Sequence, residues 1–126
     1  MDLRILAAGA ALALALCATT PAIGHHSFAM FDSQAEMWLE GRVIEFQWTN
    51  PHTFIQLAVR GEDGKVREWS LEGGSPGILS RNGWNRLVLK SGDQVRVLIY
   101  PLRTGDPGGS FVEVHRADGK VFYYHG

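Results

Sequence analysis

The chain has 126 residues, is 45% hydrophobic and 20% charged, and carries a formal net charge of −1. That length suits one small domain. The near-neutral balance excludes the basic footprint of a nucleic-acid binder and the polybasic stretch that anionic membranes attract. Its single cysteine, Cys17, permits no intrachain disulfide.

The chain opens with an apolar run from Ile5 to Ala18, preceded by Arg4. A membrane-spanning helix needs about 20 apolar residues, so the run is too short to span but fits the core of a secretory signal. Small residues at Thr20, Ala22 and Gly24 allow cleavage after Ala22 or after Gly24. The expectation is a cleaved signal over residues 1–24, a periplasmic or secreted product, and no membrane span after processing. Leu14-Ala15-Leu16-Cys17 offers lipid attachment at Cys17 as the alternative, with Leu16 standing where a small residue is usual.

Residues 25–36 read as an extended arm with Phe28, Met30 and Phe31 as anchors, and residues 37–126 as a single β-barrel domain. Glu36 to Trp48 alternates, with Trp38, Ile44, Phe46 and Trp48 on one face and Leu39 and Val43 on the other. Gly41 marks the expected bulge in this bent strand. Thr49-Asn50-Pro51 is a turn. His52 to Arg60 and Lys65 to Glu72 form a hairpin around Gly61-Glu62-Asp63-Gly64. Ser75 then caps a short helix with Pro76 at its first position, and Asn82-Gly83 stops it. Trp84 and Leu87 are expected to pin this segment to the barrel. Gln94 to Tyr100 is the fourth strand, Thr104 to Ser110 a mobile glycine-rich loop, and Phe111 to Arg116 with Lys120 to Tyr124 a closing hairpin. Three strands, a helix and two or three strands give an all-β class with one short helix: an OB-like barrel of five to six strands. The alternative is another small barrel or sandwich whose helix is only a 3₁₀ turn.

Chemistry concentrates where cleavage would act. A free α-amine titrates near about 8 and an imidazole near about 6.5, so both can yield protons to a metal around neutral pH. Cleavage after Gly24 lets the amine and ring of His25 chelate one ion, with His26 or a barrel histidine completing three nitrogens. This arrangement is similar to the histidine brace of copper-dependent polysaccharide monooxygenases and some periplasmic copper carriers. Cleavage after Ala22 exposes Ile23-Gly24-His25, which resembles the amino-terminal copper- and nickel-binding motif. Nitrogen donors in a tetragonal plane select Cu(II) or Ni(II). The plainer reading leaves both histidines in solvent. His52, just past the turn, is either the third metal ligand or a structural ring bonded to backbone. The metal candidates are therefore His25, His26 and His52, with copper as the expected ion.

A second reading makes the barrel a carbohydrate- or peptide-binding module, with Trp48, Trp69 and Trp84 as stacking platforms and Glu72 at the mouth. Core packing is the competing role for these tryptophans. Glu72-Gly73-Gly74-Ser75-Pro76 equally serves as a strand-to-helix turn. A third reading is an accessory subunit of an envelope complex, its protein partner unidentified. No H-E-x-x-H, G-x-S-x-G, P-loop or G-x-G-x-x-G motif is present, so a non-enzymatic role is expected, with copper-dependent oxidation as the residual alternative.

His25-His26-Ser27-Phe28, Trp48-Thr49-Asn50-Pro51-His52, Trp69, Glu72-Gly73-Gly74-Ser75-Pro76, Gly83-Trp84 and Leu89-Lys90-Ser91-Gly92-Asp93 together resemble a family of small exported bacterial proteins of unknown function. The resemblance covers the whole mature chain. It implies a Gram-negative periplasmic or secreted setting and a mature start at the paired histidines, which favours cleavage after Gly24. It implies no particular activity.

Overall fold

A computed structural model describes residues 28–125 of the protein. The expected signal over residues 1–24 and the candidate ligands His25 and His26 lie outside the described residues. Alternating apolar side chains build six strands: β1 (Met37–Gln47), β2 (Phe54–Arg60), β3 (Val66–Glu72), β4 (Gln94–Pro101), β5 (Gly108–Arg116) and β6 (Val121–Tyr123). β1 pairs antiparallel with both β2 and β4, β2 with β3, β4 with β5, and β5 with β6. A parallel match of Ser70–Glu72 with Gly108–Ser110 joins β3 to β5. Five strands thus close in the cycle β1-β2-β3-β5-β4, and β6 extends the sheet beyond β5. With the helix α1 (Pro76–Arg81) between β3 and β4, this is the expected OB-like barrel.

The barrel interior is filled by Leu39, Val43, Ile55, Leu57, Leu71, Val97, Ile99, Phe111 and Val114, all buried. Full burial of such a side chain contributes about 1.5–3 kcal/mol. Leu79 of α1 and the buried Trp84 cap this core. Ser75 caps α1, its Oγ accepting from the Ile78 amide, and Gly83 at φ +84° ends it. The Trp84 indole donates to the Tyr123 carbonyl at 2.8 Å, tying the helix segment to β6. Leu87 does not share the pinning role expected of it: it is 72% exposed.

Two local expectations are corrected. The bulge in β1 falls between Val43 and Glu45, not at Gly41. It puts Ile44 outward and reverses the parity of the strand, because a one-residue slip sends side chains to the opposite face. Phe46 and Trp48 therefore pack against the core, whereas Trp38, of the same parity, stays outside. Gly41 has a different reason to be glycine: a Cβ there would lie 2.4 Å from the Ala58 carbonyl oxygen. The second correction concerns Gly108–Ser110, expected in a loop but forming the buried start of β5. A Cβ on Gly109 would meet the Tyr100 carbonyl oxygen at 2.6 Å, so closure of the barrel needs the small residue there.

Candidate functional site

The turn Thr49–Pro51, which contains a cis Asn50–Pro51 peptide, delivers His52 to the start of β2. The register Phe54↔Glu72 between β2 and β3 brings the end of β3 alongside. The His52 Nδ1 lies 3.0 Å from the Gly73 carbonyl oxygen and 3.2 Å from Glu72 Oε1. Both neighbours only accept hydrogen bonds, so Nδ1 carries the proton and donates. In the neutral ring Nε2 then holds the lone pair, and among the described residues nothing engages it. A histidine oriented by a carbonyl and a carboxylate through one nitrogen has the arrangement that metal-ligating histidines use. The ring is 35% exposed and the Glu72 side chain 14%.

Gly73 and Gly74 sit at this junction because no side chain fits there. A Cβ on Gly73 would be 2.1 Å from Phe111 Cζ, and one on Gly74 would be 2.9 Å from the Tyr124 hydroxyl. The Thr53 hydroxyl and amide both donate to the Gly74 carbonyl, and the Gly73 amide donates to the Thr53 carbonyl. The site floor is thus fixed by backbone bonds and close packing. Burial, and secondarily the negative charge of Glu72, raises the pKa of Tyr124 above its ordinary value. Its hydroxyl stays protonated and remains a donor.

The arm closes the site from the other side. Its 3₁₀ turn (Phe28–Met30) is followed by a bridge between Phe31 and Leu102. The Asp32 amide donates to the Pro101 carbonyl at 2.8 Å, the Arg103 amide to the Met30 carbonyl at 3.0 Å, and Arg103 Nε to the Ala29 carbonyl at 2.9 Å. Between Phe28 and Phe31 of the arm and His52, Glu72, Ser110 and Tyr124 of the barrel lies a cleft of about 20 Å³. That volume holds one water molecule or one ion, not an organic ligand.

The other candidates are dispersed. Trp84 is 2% exposed and presents no face to a ligand, and Trp48 is packed against the core. Trp69 lines a different cleft with Trp38. His115 pairs with Glu113 and meets the ring of Trp38 edge-on. His125 stacks on Tyr123 and lines a cleft that also touches Phe28 and Phe31. Among the described residues no three His, Cys, Asp or Glu side chains gather into a metal site. His52 and Glu72 form a pair, and any third ligand has to come from elsewhere. Among the same residues no helix is long and apolar enough to cross a membrane.

Residues 13–111 match a family of unknown function, DUF6152, a span that includes His25, His26, His52 and Glu72. No curated protein and no solved structure shows significant similarity to the chain.

Proposed function

The chain belongs to the DUF6152 family of unknown function, and we propose that it is an exported, periplasmic, non-enzymatic module that binds copper at a site completed by signal cleavage. Cleavage after Gly24 frees the His25 amine. That amine and the His25 ring supply two nitrogens, and His52 Nε2 supplies a third. His26, next in the chain, and His125, on the adjoining cleft, are the further imidazoles proposed to assist. Nitrogen donors in this number suit Cu(II) among common divalent ions.

One observation carries the reading: Phe28, three residues after His25, lines the same single-ion cleft as His52. A fully extended chain spans about 3.5 Å per residue, so His25 cannot be more than about 11 Å from Phe28. The arm's bonds to Pro101 and Arg103 hold that starting point against the barrel. The small volume beside His52 favours an ion over an organic ligand at that point.

The test is calorimetric titration of Cu(II) into protein beginning at His25, alongside protein with one extra residue before it. The extension should weaken binding roughly tenfold or more, because it turns the chelating amine into an amide. Equal affinity of the two forms would remove the terminal amine from the site.

A further inference from the structure

A second cleft, of about 420 Å³, opens at the far end of the β2–β3 hairpin from His52. Seven residues of strand separate the two ends, roughly 20 Å, and the volume is that of a small-molecule site. Met37, Leu39, Val59 and the partly exposed Trp69 give an apolar floor, while Trp38 and Arg96 stand at the rim. Strand parity alone would separate Trp38 from Met37 and Leu39. All three reach the cleft because β1 pairs with β2 only from Gly41 onward, leaving Met37–Glu40 without a neighbour on that side.

Three guanidinium groups border this cleft, and two are committed. Arg60 Nη1 donates to the Gly64 carbonyl at 2.7 Å, and Arg67 grips both carboxylate oxygens of Asp63 at 3.1 and 2.7 Å. The Arg96 guanidinium makes no hydrogen bond among the described residues. Its nearest carboxylate, Glu40, is 3.9 Å away and 82% exposed. The Arg96 guanidinium lies 4.1 Å over the Trp38 ring, and His115 braces that ring from its edge. Stacking fixes the plane of the guanidinium while leaving its fork of N–H groups for a planar pair of oxygens.

We propose that this cleft binds a small monocarboxylate carried on a ring. The carboxylate sits on the Arg96 fork, and the ring covers Trp69 and the apolar floor. A single cation, held only by a loose 3.9 Å pairing with the exposed Glu40 and bordered by Glu62, suits a monoanion and opposes a doubly charged phosphate. The ring is either a flat apolar one or the pyranose of a sugar acid; the carboxylate is common to both. The assignment is independent of copper binding, since it shares no residue with the His52 cleft.

The test follows the indole N–H signals of Trp38 and Trp69 by NMR as benzoate, glucuronate, benzamide and phenyl phosphate are added to the full mature protein. Benzoate or glucuronate should shift both indoles saturably, and the tighter of the two identifies the ring. Benzamide should bind roughly tenfold or more weakly than benzoate, and Arg96→Gln should weaken the acids to a similar extent. Arg96→Lys should fall between, as a point charge without the fork. Arg96 is half-exposed, so an unchanged amide spectrum away from the cleft verifies that its variants fold. Four results would each overturn the proposal: benzamide binding as tightly as benzoate, unchanged affinity in Arg96→Gln, phenyl phosphate binding more tightly than benzoate, or no indole shift with either acid at about 10 mM, enough to saturate a millimolar site.

Discussion

His52 and His115 each sit beside a glutamate, yet only His52 also bonds a backbone carbonyl through the same nitrogen. Its orientation therefore rests on two acceptors from one strand end, and Glu72 acts as a positioning carboxylate. Replacing Glu72 with Gln should reduce copper affinity about 10–100-fold while leaving the amide spectrum of the barrel intact. The partnership was not legible from sequence, because Glu72 lies twenty positions from His52 and meets it only through the β2–β3 register. Glu72-Gly73-Gly74 does connect β3 to α1, but its glycines answer to packing. Gly73→Ala should therefore cost about 1–3 kcal/mol in urea unfolding, driven by the clash with Phe111. Gly77→Ala is the matched control, since a Cβ there meets only Ser75 Oγ at 3.8 Å. In a helix that change should be neutral or stabilise by up to about 1 kcal/mol.

Among the elements, those with unbroken alternation were readable: β2, β4 and the β5–β6 hairpin follow their apolar patterns. α1 was readable from its caps, Ser75-Pro76 at the start and Asn82-Gly83 at the end. β1 was readable only in part. A bulge has no fixed residue signature, so four residues of one parity were assigned to one face when the slip at Ile44 divides them. The first residues of β5, Gly108–Ser110, read as loop because glycine argues for a loop in any local reading, whereas close approach to β4 and the parallel match to β3 impose strand there. The arm is the element on which the functional reading depends most. Arg103→Ala removes the bond to the Ala29 carbonyl and the 3.7 Å pairing with Asp32. Global stability should change by no more than about 0.5 kcal/mol, as for other exposed contacts. Hydrogen exchange at the Phe31 and Asp32 amides should nevertheless accelerate. Unchanged protection there would show that the backbone bonds to Pro101 and Arg103 and the aromatic side chains hold the arm without the Arg103 side chain.

On the scale of the whole molecule, barrel closure sets two unlike clefts at opposite ends of one hairpin: a niche of about 20 Å³ under the arm, and a broader bay beside Trp38. The same closure buries Tyr124 between Gly74 and Phe111. Its phenol is held above the ordinary value of 10.0, so the unfolded chain ionises first as pH rises. Beyond about pH 10 the folded state binds more protons than the unfolded one, and stability falls with increasing pH. Below the unfolded value this contribution is fully present. The urea midpoint should therefore decline above about pH 10, and less steeply in Tyr124→Phe; identical slopes would remove Tyr124 as the cause. The most direct measurement of the central claim is NMR line broadening by substoichiometric Cu(II) in protein that begins at His25. The account predicts that signals of His25, His26, Phe28, His52 and Gly73 vanish first, while those of Trp38, Trp69 and His115 persist. Broadening centred on His115, or confined to His25 and His26 with His52 untouched, would contradict it.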